Sequence, residues 1–190
     1  MVRADLPGCG KSYACEYMTN CYKVLFICPT NELTQNYSTE GVTLNRFFGI
    51  SMNDEETMDK FDHSSYDVIV FDEIYFSSIQ KLHNIKKFCS DNPDKIIIAT
   101  GDTSQLPPIT DYTNTKKYAP YADECINNIC QCEIMLRENK RLQSQEDKTK
   151  LEQFKAELFD KRLDPITTIK KYFQFTNDIT KSIKKYRLQK

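Results

Sequence analysis

The loop sequence Pro-Gly-Cys-Gly-Lys-Ser near the start of the chain restricts its possible folds more than any other segment. It consists of Pro7, Gly8, Cys9, Gly10, Lys11 and Ser12. Glycine permits left-handed backbone angles, and such a loop turns its N–H groups and the next helix N-terminus towards a phosphate. In the pattern G-x-x-x-x-G-K-[ST] the lysine reaches the β- and γ-phosphates and the hydroxyl binds Mg²⁺. Here Asp5 stands at the first glycine position. The alternative is a glycine-rich turn that only starts a helix.

The composition is that of an ordinary globular protein without a charge bias. Of 190 residues, 39% are hydrophobic, and 26 basic and 27 acidic residues give a net charge of −1. This length suffices for one α/β domain and the beginning of another. The near-zero charge excludes a whole-protein field that attracts nucleic acid. Eight cysteines without a secretory leader predict reduced thiols. No apolar run reaches membrane-spanning length, so we expect a cytoplasmic or nuclear protein without a membrane partner.

Apolar strand-like runs alternate with helical segments, which predicts an α/β fold, a parallel sheet with helices on both faces. The predicted strands are 23–28, 67–71, 95–100 and 132–136, and the predicted helices are 11–20, 74–89 and 148–161. In the first helix, the spacing predicts one apolar face made of Tyr13, Ala14, Tyr17 and Met18. The segment 107–121 is rich in Pro, Thr, Tyr and Asn, which predicts an exposed loop.

The pattern predicts one domain and the beginning of a second. Residues 1–143 are expected to form the first domain, and residues 144–165 a hinge and helical linker. Residues 166–190 are expected to start the second domain, with a strand at 172–176 and a basic helix at 179–188. Only residues 1–4 precede the phosphate loop, where a buried strand is normally found. We therefore expect the fold to be truncated at both ends.

A pair of carboxylates follows the second predicted strand. Asp72 and Glu73 come directly after the apolar run that ends at Phe71. In a phosphate-loop enzyme, an Asp at this strand end holds the Mg²⁺ shell, and an adjacent Glu orients and deprotonates the attacking water. Acidic residues after a strand also cap helices. The phosphate loop earlier in the chain favours the catalytic role.

Two further polar segments follow predicted strands. Asp102 and Gln105 lie after the third strand, at the sheet edge where ligands bind in open α/β folds. Gln105 can donate and accept hydrogen bonds, which suits contact with a γ-phosphate or its water. An arginine in the segment 136–141, after the fourth strand, can provide a bidentate contact to the γ-phosphate. The alternatives are a proline-rich turn and a charged surface turn.

Taken in order, these segments resemble superfamily 1 helicases. The matching segments are PGCGKS, CPT, GVTLNRFF, VFDE, GDTSQLPP and LRENKR. GDTSQLPP is the discriminating segment, since superfamily 2 helicases use a different third motif. The set looks most like the RecD-like branch, which moves 5′ to 3′ on single strands. The resemblance covers residues 4–142, the first RecA-like domain, and implies that residues 172–177 open the second.

The resemblance also implies roles for individual residues. Lys11 and Ser12 (Walker A) would bind the phosphates and Mg²⁺, while Asp72 would hold the metal and Glu73 would act as the base (Walker B). Asp102 and Gln105 would link the γ-phosphate to the nucleic-acid contacts, and Arg141 would contact the γ-phosphate. The residues that would contact single-stranded DNA or RNA are Pro29, Thr30 and Thr43. Phe47 or Phe48 would either stack on a base or belong to the core.

These observations predict a RecA-like ATP hydrolase that uses ATP and Mg²⁺ and moves along single-stranded nucleic acid. We expect the isolated chain to bind nucleotide weakly and to hydrolyse it slowly or not at all. Two other classes stay open: a nucleotide-binding regulatory module without turnover, and a phosphate-loop ATPase that acts on a protein. The abundance of Lys, Asn, Ile and Tyr is typical of an AT-rich genome such as that of a virus.

Overall fold

The computed structural model describes residues 1–4, 8–51, 59–102, 115–142, 144–160 and 162–172, except for the side chains of 115–120 and 159. The chain divides into two compact units, Met1–Arg141 and Leu142–Lys190.

A six-stranded sheet forms the centre of the first unit. Its strands are β1 (Val2–Ala4), β2 (Val24–Cys28), β3 (Gly41–Thr43), β4 (Val68–Phe71), β5 (Ile96–Gly101) and β6 (Ile134–Leu136). They lie in the order β3-β2-β4-β5-β1-β6, and neighbouring strands pair in parallel. Because all strands run the same way, all their carboxyl ends lie at one edge, where open α/β sheets bind ligands.

The strands β2 and β4 are apolar throughout because both faces of the sheet are covered there. Every residue of β2 and β4 is buried. Since side chains alternate between the faces of a strand, Leu25 and Ile69 join one core while Phe26 and Val70 join the other. The predicted α/β fold, with helices on both faces, is confirmed.

The α-helices are between 4 and 15 residues long. They are α1 (Lys11–Glu16), α2 (Asn31–Thr34), α3 (Leu44–Phe48), α4 (Ile79–Asp91), α5 (Thr115–Ile129), α6 (Gln145–Phe159) and α7 (Pro165–Tyr172), with 3₁₀ turns at Tyr17–Asn20 and Ile74–Phe76. Four of the helices have a Ser or Thr as their N-cap residue, and its side-chain oxygen accepts a hydrogen bond from a backbone N–H of the first turn. These residues are Thr30, Thr43, Ser78 and Ser144.

The predicted apolar face of the first helix is wrong for Tyr13, Ala14 and Tyr17, which are exposed, whereas Met18 is partly buried and packs against the core. Tyr13 and Tyr17 are 74% and 70% exposed, whereas Lys11 and Cys15 are buried. The helix is short and its direction is set by the glycine loop before it, so residues four apart, Lys11 and Cys15, face the sheet. Cys15 packs in the same core as Phe26.

Three other segments differ from the expectation. Val2–Ala4, which seemed too short to supply the strand before the phosphate loop, forms β1 between β5 and β6. Part of the predicted loop 107–121 lies in α5, which buries Ala122, Cys125 and Ile126 in the core. Within the predicted linker 144–165, α6 begins at Gln145 with Ser144 as its N-cap, three residues before the predicted helix 148–161.

The second unit contains α6 and α7. The rings of Phe154 and Tyr172 meet edge-on, with centroids 5.3 Å apart, and the Tyr172 hydroxyl donates to Glu157 at 2.9 Å. Tyr172, predicted to start a strand, is therefore the last residue of α7. The rest of that predicted strand and the predicted helix 179–188 lie outside the described residues.

All eight cysteines are free thiols. Within the described ranges, no helix combines the length and the apolar character that crossing a membrane requires.

Candidate nucleotide-binding site

Most of the residues singled out from the sequence follow the carboxyl ends of strands, and so lie along one edge of the sheet. The phosphate loop follows β1, Pro29 and Thr30 follow β2, Asp72 and Glu73 follow β4, Asp102 follows β5, and the segment 137–141 follows β6. Pro7 and Gln105 lie outside the described residues.

The glycines of the phosphate loop have the predicted backbone geometry. Gly8 has φ 81° and Gly10 has φ 85°, and Gly10 is the N-cap of α1. The left-handed angles turn the chain sharply into the helix. Lys11 then lies at the first helical position, 8% exposed, with Nζ 3.9 Å from Oε1 of Glu73. The loop lysine and the predicted base therefore meet.

The segment after β6 packs directly against the phosphate loop. The N–H of Lys140 donates to the carbonyl of Gly8 at 2.9 Å. A Cβ placed on Gly8 would lie 2.8 Å from Cβ of Arg141 and 3.2 Å from Oδ1 of Asn139. Asn139 is buried, and its Oδ1 accepts the N–H of Arg141 at 2.9 Å. This contact places Arg141 beside the loop, with its side chain exposed.

The carboxylate of Asp72 is buried and oriented by two hydroxyls. Thr100 donates to Oδ1 at 2.5 Å, and Tyr37 donates to Oδ2 at 2.5 Å. Asp72 is 5% exposed and Thr100 is fully buried. Thr100 reaches Asp72 because β4 and β5 are neighbours with Phe71 opposite Ala99.

Glu73 has an unusual backbone conformation. Its φ of 49° and ψ of 50° are left-handed, and it is the one non-glycine residue with positive φ in the described parts of the chain. Its N–H donates to Oγ1 of Thr100 at 3.2 Å, which helps to hold this conformation. Strained non-glycine backbone is found mainly where the surrounding structure fixes a functional side chain. Here it accompanies the turn of Glu73 towards Lys11.

The Tyr37 hydroxyl donates to the carboxylate of Asp72. Burial, and then the negative charge and hydrogen bond of Asp72, raise the pKa of Tyr37 well above its ordinary value. The phenol therefore stays protonated and remains a donor to the carboxylate.

The donor set fits a magnesium ion. Mg²⁺ prefers hard oxygen ligands, keeps several waters and commonly uses one or two carboxylates. Ser12 and Asp72 offer a hydroxyl and a carboxylate, and they adjoin in sequence Lys11 and Glu73, which form an ion pair. The thiols nearby do not compete as ligands, because burial and then the charge of Asp72 raise the pKa values of Cys15 and Cys28 to about 12.

The residues predicted to contact nucleic acid lie on the β2 and β3 side of the same edge. Cys28 of β2 pairs with Thr43 of β3, so Pro29 and Thr30 are close to Thr43. The hydroxyls of Thr30 and Thr43 accept the N–H groups of Leu33 and Arg46 as helix caps. Capping alone explains these residue types, and a capping hydroxyl still has its own proton to donate.

The aromatic pair after Thr43 belongs to the core. Phe47 is 3% exposed and packs edge-on against Phe71 and Phe88, while Phe48 is partly buried. A base-stacking role for Phe47 is therefore excluded in this conformation.

Sequence reasoning missed three residues of the site: Tyr37, Thr100 and Asn139. Thr100 had a visible signal, because it is a polar residue in an apolar strand and directly precedes Gly101-Asp102. Asn139 lay inside a segment singled out for its arginines. Tyr37 carried no signal, since it lies between motifs and 35 residues from its partner Asp72.

Comparison with known proteins shows the family of the chain and the fold that it shares. A family profile described as the viral superfamily 1 RNA helicase core domain matches residues 6–185. The fold is similar to that of Bacteroides Pif1 bound to single-stranded DNA, with 20% identity and a TM-score of 0.56 over 80% of this chain and 41% of that chain. A search of curated proteins returned no match.

Two other Pif1 structures show the same likeness. One contains two coordinating Pif1 helicases at forked double-stranded DNA (18% identity, TM-score 0.57, 80% of this chain and 43% of that chain). The other is Bacteroides Pif1 in complex with ADP-AlF4 (18% identity, TM-score 0.52, 80% and 41%). The chain spans about two fifths of the length of these helicases and shares the fold of their RecA-like domain.

Proposed function

Because the chain belongs to the viral superfamily 1 RNA helicase family, matched over residues 6–185, we propose that it is the ATP-binding RecA-like part of a helicase. In the longer protein, ATP hydrolysis drives movement along single-stranded nucleic acid. The observation that carries the proposal is the meeting of Lys11 with Glu73 at the sheet edge where the carboxylate of Asp72 is buried.

Each side chain has a defined task in this proposal. Backbone N–H groups of the loop and the Lys11 ammonium bind the phosphates, and Ser12 and Asp72 hold Mg²⁺. The metal supplies positive charge that neutralises the β- and γ-phosphate oxygens. Glu73, held by its left-handed backbone and the bond to Thr100, orients the attacking water and accepts its proton.

The remaining predicted residues complete the proposal. Arg141, packed against the loop through Gly8, stabilises charge on the γ-phosphate. Asp102, which is 3% exposed at the end of β5, and Gln105 connect the phosphate to the nucleic-acid contacts of Pro29, Thr30 and Thr43.

The proposal extends to the parent protein. It includes a second RecA-like domain beginning in residues 166–190, membership of the RecD-like branch with 5′-to-3′ movement, and a reducing cytoplasmic or nuclear compartment. Partial duplexes with a 5′ or a 3′ single-stranded tail test the direction. Unwinding of the 3′-tailed duplex alone would contradict the branch.

The central experiment is a titration of ATP hydrolysis by the longer protein against poly(U) and poly(dT). We expect stimulation by at least one of these strands and its loss in Lys11→Ala. Lys86→Ala is the matched control, because Lys86 is an exposed lysine on α4 away from the site. Hydrolysis indifferent to either strand would indicate an ATPase acting on a protein. Binding of nucleotide without hydrolysis would indicate a regulatory module.

A further inference from the structure

The Tyr37 hydroxyl contacts the carboxylate that is assigned to the metal. It donates to Oδ2 of Asp72 at 2.5 Å. Neither the motifs nor the family resemblance assigns a role to this tyrosine. Its position is therefore a separate observation about the site.

Two contacts fix the position of Tyr37. Its ring stacks on the fully buried ring of Phe26, with centroids 3.8 Å apart and an angle of 11° between the planes. The next residue, Ser38, donates its N–H to Oε1 of Glu16 at 2.9 Å, which ties the segment to the end of α1. The hydroxyl is thus held by packing that is independent of its own hydrogen bonds.

The hydrogen bonds to Asp72 leave its carboxylate available to a metal. A carboxylate has about four acceptor sites, and Tyr37 and Thr100 use one on each oxygen of Asp72. The carboxylate is therefore oriented and keeps acceptor sites for a cation.

We propose that Tyr37 is a positioning residue of the magnesium site, which orients the Asp72 carboxylate for the metal that accompanies the nucleotide. The inference rests on the proposed nucleotide-binding function. Hydrogen-bonding partners behind metal ligands fix ligand orientation, and their loss typically weakens metal affinity about 10- to 100-fold. Tyr37 acts through Asp72.

A competing arrangement has the opposite consequence. If the Tyr37 hydroxyl occupied the position that the metal needs, it would have to leave before Mg²⁺ could bind. Removing the hydroxyl would then strengthen Mg²⁺ binding. The sign of the change therefore separates a positioning residue from a competitor.

The test compares Tyr37→Phe with wild type in the binding of a fluorescent ADP analogue, titrated with Mg²⁺ and repeated in EDTA. Phenylalanine keeps the stacked ring and removes only the hydroxyl. We expect the Mg²⁺ concentration that gives half of the Mg²⁺-dependent change in binding of the ADP analogue to rise about 10- to 100-fold. In EDTA, the affinity for the ADP analogue should stay within about twofold of wild type, because the phosphate contacts of the loop are unchanged.

Tyr66→Phe is the matched control. The Tyr66 hydroxyl also donates to a carboxylate, that of Glu40, but Tyr66 precedes β4 and so lies at the opposite edge of the sheet from Asp72. We expect its Mg²⁺ dependence to equal that of wild type. An equal shift in both variants would show a general loss of stability and would overturn the inference.

The outcomes separate this inference from the proposed function. If wild type shows no Mg²⁺-dependent nucleotide binding, the proposed function fails. If wild type shows it and Tyr37→Phe has an unchanged or lower Mg²⁺ midpoint, only the role of Tyr37 fails.

A measurement on the wild-type chain needs no variant. With ¹³C-labelled tyrosine, the Tyr37 ring resonance should shift when Mg²⁺ is added to the ADP-bound protein, while that of Tyr66 should not. An unchanged Tyr37 resonance would contradict the proposal even if the variant failed to fold.

Discussion

Replacing Thr100 with valine is expected to destabilise the first unit and disturb the site at once. The Thr100 hydroxyl is fully buried, donates to Asp72 at 2.5 Å and accepts the N–H of Glu73 at 3.2 Å. Valine has nearly the same shape but can make neither bond. The change therefore tests whether this hydroxyl holds the two acidic residues in place.

The magnitude follows from these two bonds. A hydrogen bond to a charged group contributes about 1.5–3 kcal/mol, and an unsatisfied buried N–H costs about 1–3 kcal/mol. The additional buried methyl group of valine offsets about 0.8 kcal/mol. We expect the free energy of unfolding to fall by about 2–5 kcal/mol. Thr100→Ser keeps the hydroxyl and loses one methyl group, so it should cost only about 1 kcal/mol.

Urea unfolding followed by far-UV circular dichroism measures this difference, since the chain has no tryptophan for fluorescence. Hydrogen exchange at the Glu73 amide measures the local bond directly. We expect that amide to be protected in wild type and Thr100→Ser and to exchange faster in Thr100→Val. Equal stability and equal exchange in the two variants would refute the hydrogen-bonding role of Thr100.

Three further predictions follow from the same geometry. Glu73→Gln should abolish hydrolysis by the longer protein while nucleotide affinity stays within about threefold of wild type, because the amide cannot accept the proton; unchanged turnover would show that Glu73 is not the base. Gly8→Ala should lower the melting temperature and weaken nucleotide binding, because φ of Gly8 is 81° and the added Cβ would lie 2.8 Å from Cβ of Arg141. A wild-type melting temperature together with wild-type nucleotide affinity would contradict the packing of the loop. In thiol labelling at pH 8, the exposed Cys21 should react at once, whereas Cys15 and Cys28 should react only in denaturant. Burial and the charge of Asp72 raise the pKa values of those two thiols to about 12. Rapid labelling of either buried thiol would contradict the described core.

The sequence was sufficient to predict the elements that have strong local signals. The apolar runs that became β2 and β4 were recognisable because both faces of those strands are buried. β5 was recognisable as an apolar run although its first residue, Ile96, is exposed. The loop glycines and the acids after β4 were recognisable because their chemistry requires those residue types at those positions. For these elements, local pattern and tertiary structure agree.

Elements fixed by tertiary contacts were not predictable in the same way. The three residues of β1 carry no periodicity, and their strand exists because β5 and β6 lie on either side. The exposed rings of Tyr13 and Tyr17 looked like a core face, but the direction of α1 depends on the loop angles. Tyr37 meets Asp72 only because the segment after α2 folds back over β2.

The central claim is that segments distant in the sequence form one site for a magnesium nucleotide. The most direct test is the change in backbone amide resonances of the ¹⁵N-labelled chain when Mg²⁺ and ADP are added. We predict that the largest shifts fall together on Gly8–Ser12, Asp72–Glu73 and Asn139–Arg141, while α4, on one face of the sheet, changes little. Shifts confined to one of these segments, or absent from all three, would contradict the account.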